Sequence, residues 1–190
     1  MQYKIAVSGS ASNNCAPGAF KKAYEVGRQI ALQGAVLITG ATIGVPEWAT
    51  RGAKAGHGMS IGLSPAVSKQ AHVHTYRLPT RYMDLIIYTG FDYSGRNMLM
   101  TRSSDGVIVI CGRIGTLNEF TTAFEDRRVV GVLTGTGGVE EDLDHILKLA
   151  KRGRRRIIFD DNPKRLVQKV IKLIKASDKL KKPGKWQEVS

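Results

Sequence analysis

Short apolar runs rich in β-branched residues recur along this chain, and each is followed by a stretch whose apolar positions have helical spacing. The runs are "KIAVSG" (4–9), "AVLITG" (35–40), "MSIGL" (59–63), "DLIIYTG" (84–90), "GVIVIC" (106–111), "VVGVLTG" (129–135) and "RRIIFD" (155–160). Amphipathic segments lie at 17–33, about 46–56, 95–104, 116–127, 139–152 and 162–177. Near-continuous apolar strands belong to a sheet covered on both faces, and the β-α alternation supplies the covering helices. The pattern predicts a doubly wound, mostly parallel α/β fold with helices on both faces. A length of 190 residues suits one domain, expected over 1–177. A basic tail follows at 178–190, in which Trp186 is a candidate anchor.

In such sheets ligands bind beyond the carboxyl ends of the strands. Four of those ends are rich in Gly, Ser or Thr: "SGSAS" (8–12), "TGATIG" (39–44), "TGFDYSG" (89–95) and "CGRIGT" (111–116). Bare backbone amides and helix N-termini favour an anion, so four such turns on one edge point to a phosphate-bearing small molecule. Ser8, Gly9 and Ser10 are expected to shape the pocket floor, although Gly-Ser turns are also ordinary connectors. Asp92 and Tyr93 read as polar residues of a neighbouring loop. The Gly-rich turn at 134–142 ends in Glu140-Glu141-Asp142, which suits a helix N-terminus and makes a poor phosphate site.

Several nucleotide signatures are missing. The sequence lacks GxxxxGK[ST], which disfavours a P-loop NTPase. After the first strand stands Ser8-Gly9-Ser10 rather than GxGxxG, and the second strand ends without an acidic residue, which disfavours a dinucleotide dehydrogenase. No metal is expected, because the four histidines lack partners at ligand spacing. His72 and His74 read as surface residues sharing one strand face. Cys15 and Cys111 read as free thiols in a reducing cytoplasm, and no cofactor is called for.

The fifth run leads into Gly112, Arg113, Gly115, Thr116 and then Glu119. Gly112 and Gly115 let a backbone approach a phosphate, and Thr116 is placed to cap the following helix and donate to the same anion. Thr-x-x-Glu at a helix start also fits a capping box, in which Glu119 would only serve the helix end. Spacing leaves both readings open. Arg113 would clamp a phosphate or fill the space a ligand needs. Arg96, in "GRNMLMTR", would reach the site or spend itself on a surface ion pair. Met98 and Met100 read as core or subunit contacts.

The stretch "GRNMLMTRSSDGVIVICGRIGTLNEF" resembles the signature of the LOG-like superfamily, which includes the Lonely-guy phosphoribohydrolases and the molybdenum-cofactor carrier-like proteins. The enzymes' pattern is an Arg-Lys pair, a helix, a strand, then Pro-Gly-Gly-x-Gly-Thr-x-x-Glu. Its arginine falls on Arg96, its glycines and threonine on Gly112, Gly115 and Thr116, and its carboxylate on Glu119. "TGATIGVPEWATRGAKAG" is similar to the family's second Gly-rich turn and helix, where Gly40 and Gly44 match and Pro46 suits the first helical position. The resemblance spans about 3–150 and implies a Rossmann-like fold and a homodimer with helices near the active edge between subunits.

Departures are equally informative. Cys111 replaces the motif's proline, Arg113 its second glycine, Asn97 the hydrolases' lysine and Asn118 their second glutamate. Both asparagines bring the chain nearer the carrier-like branch. The resemblance implies either hydrolysis of a nucleoside 5′-monophosphate, with Glu119 stabilising a ribosyl cation and Arg96 positioning the substrate, or carriage of a phosphorylated pterin or nucleotide without chemistry.

Charge adds a third reading. Residues 151–190 carry 14 Lys/Arg against 4 Asp/Glu, and residues 1–150 carry 15 against 12, so most of the net +13 sits at the C-terminal end. Such a footprint suits RNA, DNA or anionic lipid, or a merely solvated face. No apolar run approaches the roughly 20 residues of a membrane helix, and the N-terminus has no secretory pattern, so a cytoplasmic location without membrane contact is expected.

Overall fold

The computed structural model describes residues 2–12, 14–154 and 156–180. Seven strands form one sheet: β1 (Lys4–Gly9), β2 (Val36–Thr39), β3 (Ser60–Ser64), β4 (Leu85–Tyr88), β5 (Gly106–Ile110), β6 (Val129–Leu133) and β7 (Ile157–Asp160). Their order is β4-β3-β2-β1-β5-β6-β7, and every neighbouring pair is parallel. The helices are α1 (Ala19–Leu32), α2 (Val45–Ala55), α3 (Asp92–Ser103), α4 (Ile114–Glu125), α5 (Leu143–Ala150) and α6 (Pro163–Leu180). This is the doubly wound α/β arrangement the alternation predicts.

Strand pleating explains why β5 is apolar throughout. Successive side chains point to opposite faces. Ile108 and Ile110 therefore join Ile5, Val7 and Leu37 beneath α1, α2 and α6. Val107 and Val109 join Ala6, Val130 and Val132 on the other face, against Met100 of α3, Phe120 of α4 and Leu143 of α5. Both faces are dry, so neither can carry polar residues without cost.

Strand order also places the ligand edge. From β1 the chain winds outward to β4, then returns so that β5 lies on the other side of β1, with Gly9 opposite Ile110. The helix after β1 packs on one face and the helix after β5 on the other. Their departure in opposite directions opens a crevice above these two strand ends.

Several local expectations need correction. Cys15 and Cys111 are not free thiols: they form a disulfide, with their Cα atoms 5.7 Å apart. The pairing follows from strand order, because the segments leaving β1 and β5 emerge side by side although 96 residues separate them. His72 is not a surface residue on a strand. It lies fully buried on a π-helical turn over Ala71–Thr75, with Nδ1 2.8 Å from Ser64 Oγ and Nε2 2.9 Å from the Pro79 carbonyl oxygen. A carbonyl only accepts, so Nε2 carries the proton in that bond. His74 alone of the two is exposed.

Helix starts differ as well. Asp92 and Tyr93 form the first turn of α3 rather than a loop, and Pro46 is the second residue of α2. The segment expected as one helix at 139–152 divides into a 3₁₀ turn over Gly138–Asp142 and α5. Met100 is buried in the core while Met98 is exposed. Helix α6 continues past residue 177 to Leu180; the rest of the basic tail, including Trp186, lies outside the described residues. Among the described residues no helix is long and apolar enough to cross a membrane.

Candidate functional site

A cavity of about 540 Å³ opens at the carboxyl edge of the sheet over β1, β2 and β5. Ser8, Gly9, Ser10 and Gly40 contribute its floor from the ends of β1 and β2, and α3 supplies Arg96. Arg113, Gly115, Thr116 and Glu119 enter from the start of α4. The strand-to-helix turns singled out in the sequence thus converge on one space, because parallel strands in register end at one level.

Gly44 and Gly112 are absent from the wall and act behind it. Gly44 has φ 76°, and a Cβ there would strike the Ser10 carbonyl oxygen. It lets the turn after β2 lie against the turn after β1, where the Val45 N–H donates to that same carbonyl at 2.9 Å. Gly112 has φ 108°, and the place of its missing Cβ is taken by the Thr116 side chain. Its carbonyl accepts from Val139 N–H at 3.0 Å. The Thr136 hydroxyl oxygen accepts from Cys111 N–H at 2.8 Å, and buried Glu140 accepts from Thr136 N–H at 3.1 Å. The acidic turn after β6 therefore buttresses the β5–α4 turn from behind.

The first turn of α4 begins two residues before the expected start. Arg113 occupies the N-cap position in extended backbone, and no side chain caps the helix. The Leu117 N–H makes the first helical bond, to the Arg113 carbonyl at 2.9 Å. The amides of Ile114, Gly115 and Thr116 are thus the orphan donors of a helix start, beside a cavity that Gly115 and Thr116 line. Thr116 is the third residue of α4 rather than its cap, and no capping box forms with Glu119.

Glu119 instead turns inward on the second helical turn, 5% exposed. One carboxylate oxygen accepts from the Ser8 hydroxyl and the other from Arg96 Nη1 at 3.2 Å. Arg96 is also 5% exposed and so is not spent on the surface; Arg102, one turn and a half further along α3, makes the surface pair with Asp126 at 2.9 Å. Room for the buried guanidinium comes from Gly40, where any Cβ would overlap Arg96. The Arg96 Nε is buried without a partner among the described residues.

Burial dominates the electrostatics of this pair. Loss of water pushes the Glu119 carboxyl above its ordinary range, offset in part by Arg96 and the Ser8 hydroxyl. The same desolvation pulls Arg96 below its usual value, with Glu119 opposing. Of the two, the carboxyl is the group that titrates, because a guanidinium keeps its proton at any ordinary pH.

Asn97 is also buried, and its side-chain nitrogen lies 3.1 Å from Asn118 Oδ1. With the Asn97 amide turned over, its NH₂ donates to Glu119 Oε1 at 2.8 Å and to the Tyr93 carbonyl at 3.0 Å. The amide turned toward Glu119 satisfies more partners and is the orientation the carboxylate favours. A wall that sequence reasoning missed comes from Tyr76, Arg77 and Leu78, in a segment without strand or helix periodicity. Tyr76 and Tyr93 meet edge to face at the rim, ring centres 5.8 Å apart. Among the described residues no three His, Cys, Asp or Glu side chains gather as metal ligands would.

A family model described as the SLOG cluster4 family matches residues 2–167. An uncharacterized protein of Archaeoglobus fulgidus is 31% identical over 122 residues, which cover 64% of this chain and 75% of that protein. Among solved structures, the molybdenum cofactor binding protein of the phototrophic bacterium Rippkaea orientalis superposes with a TM-score of 0.75 and 29% identity, over 94% of this chain and 98% of its own. The molybdenum cofactor carrier protein of Chlamydomonas reinhardtii gives a TM-score of 0.74 and 25% identity, over 93% and 99%.

Proposed function

The chain belongs to the SLOG cluster4 family, and we propose that it binds a phosphorylated pterin of the molybdenum-cofactor type and carries it without chemical change. The observation that carries this reading is the closed network around Glu119. A carboxylate that already accepts from Ser8 and from a buried arginine has its charge neutralised in place. It is poorly set to stabilise a developing ribosyl cation, which needs an unpaired anion facing the sugar. Support also comes from the two molybdenum-cofactor proteins that the chain resembles over nearly its whole length.

The residues divide the ligand between them. The uncapped amides of α4, with Arg113 at the mouth, receive the phosphate. Ser10 offers a hydroxyl on the floor, and the Tyr76–Tyr93 pair gives a planar ring an aromatic edge at the rim. The buried Arg96–Glu119 pair holds α3 against α4 and keeps the cavity's shape. A homodimer is part of the same proposal: Leu85 and Ile87 on edge strand β4, with Phe91 and Met98 beside them in sequence, leave apolar side chains exposed.

Mass spectrometry of the small molecules retained by the purified protein tests the reading. A phosphorylated pterin, lost when Gly115→Asp places a carboxylate at the uncapped turn, is the expected result. Release of adenine from AMP above the level given by Glu119→Gln would instead favour the phosphoribohydrolase. Light scattering of the purified protein checks the dimer.

A further inference from the structure

A second concave site lies at the opposite, amino-terminal edge of the sheet. Its volume is about 510 Å³, and its charged lining consists of Arg127, Arg128, Arg152 and Arg156. These residues come from two turns, one between α4 and β6 and one between α5 and β7, that run side by side because β6 and β7 are neighbours. No carboxylate lines this cavity among the described residues.

What distinguishes the cluster from a solvated basic face is how the guanidiniums are held. Arg128 Nη2 donates to the Arg102 carbonyl at 2.8 Å, and Arg156 Nη1 donates to the Arg127 carbonyl at 2.7 Å. Carbonyl oxygens orient a guanidinium without cancelling its charge. The Arg128 Nε is buried with no partner, and the Arg127 side chain makes no hydrogen bond or ion pair among the described residues. Among the described residues only Arg152 of the four has an ion pair, with Glu125 at 2.6 Å, while its guanidinium sits over the Phe124 ring.

The acids next door are committed elsewhere. In the adjoining depression Asp126 takes Arg102, Asp105 takes Lys4, and Asp178 bonds Tyr3. Arg127, Arg128 and Arg156 therefore converge on one concave space without an ion pair among the described residues, although they also border the depression that Asp105, Asp126 and Asp178 line. Guanidiniums held in this way present paired donors to an anion with several closely spaced oxygens.

We propose that this arginine cluster is a binding site for a phosphoanhydride chain, a di- or triphosphate group, separate from the cavity at the carboxyl edge. The guanidinium forks match phosphate oxygens in pairs, and a bounded cavity suits a compact, highly charged chain better than an extended nucleic-acid strand. The inference is independent of the pterin reading, since the two sites share no residue.

Calorimetric titration of the full-length protein with inorganic tripolyphosphate tests it, with inorganic phosphate and a single-stranded oligonucleotide as comparisons. Tripolyphosphate is expected to bind more tightly than phosphate. Arg127→Ala, which removes an exposed and unpartnered side chain, should weaken it at least about tenfold, and Arg127→Lys should weaken it less. Gly115→Asp at the opposite edge should leave it unchanged. Absence of binding, loss through Gly115→Asp rather than Arg127→Ala, or binding of the oligonucleotide but not tripolyphosphate would each overturn the proposal.

Discussion

Asn97 of α3 and Asn118 of α4 face each other, their side-chain amides 3.1 Å apart, beside the buried Arg96–Glu119 pair. Both are positions at which this chain departs from the hydrolase pattern, where lysine and a second glutamate stand. In this fold the two departures meet as one neutral amide pair. Neutrality leaves Arg96 and Glu119 to balance one another alone.

With the Asn97 amide donating to Glu119, a carboxylate at that position is destabilising. Asn97→Asp would place two acids in one dry site and is expected to cost roughly 2–4 kcal/mol, against about 1–2 for Asn97→Ala. The deficit should deepen as pH rises and the second proton leaves. Urea unfolding midpoints of both variants across pH 5 to 8 provide the check.

Burial raises the Glu119 carboxyl above its ordinary value of 4.5. The folded protein then holds a proton that the unfolded chain releases at lower pH. Its contribution is fully present below the unfolded value and is lost as pH rises through the folded one. Wild-type stability should accordingly fall relative to Glu119→Gln as pH increases above about 4.5. Parallel or diverging denaturation curves for the two proteins decide the matter, with parallel curves opposing the burial argument.

Asp160, at the end of β7, shows the opposite sign. Hydrogen bonds from Arg165 and Lys169, both at 2.7 Å, hold its carboxyl far below the usual range despite burial. This contribution is present above the unfolded value of 3.8 and is lost as pH falls. Asp160→Asn should cost about 1.5–3 kcal/mol at pH 7, toward the lower figure because both partners are half exposed. The variant's deficit should shrink in acid, as thermal unfolding at pH 3 and pH 7 would show.

The Cys15–Cys111 bond closes a loop spanning 96 positions between the two ligand-edge turns. Chain-entropy reasoning gives such a crosslink roughly 3–5 kcal/mol. A thiol reductant should lower the guanidinium chloride midpoint accordingly, Cys15→Ser should reproduce the reduced protein, and reductant should not shift that variant further. An unmoved wild-type midpoint would show that the thiols are not paired.

Much of the architecture was legible in the sequence because it rests on short-range periodicity. Continuous apolar runs such as 106–111 can satisfy only a sheet covered on both faces, and the intervening amphipathic segments must be its covering helices. Parallel strands then bring their carboxyl ends to one edge, which is why the turns holding Ser8, Gly40 and Gly115 could be grouped from sequence, whereas spacing left Glu119 between that edge and its own helix end. Helix starts were less legible. Nothing in Arg113-Ile114-Gly115-Thr116 says which residue first turns helical, and a shift of two positions moved Thr116 from cap to wall.

Only the tertiary structure decided the partners. Which way Glu119 points, whether toward its own helix end or toward Ser8, depends on β5 lying beside β1 rather than beside β4. The same strand order brings Cys15 to Cys111, packs Asn97 onto Asn118, buries His72 and gathers arginines from two turns at the far edge. Periodicity is a property of a few neighbouring residues, whereas these meetings join residues up to 111 positions apart in the chain. They exist because one packing of the whole sheet buries its apolar faces, and that balance is struck over the entire molecule.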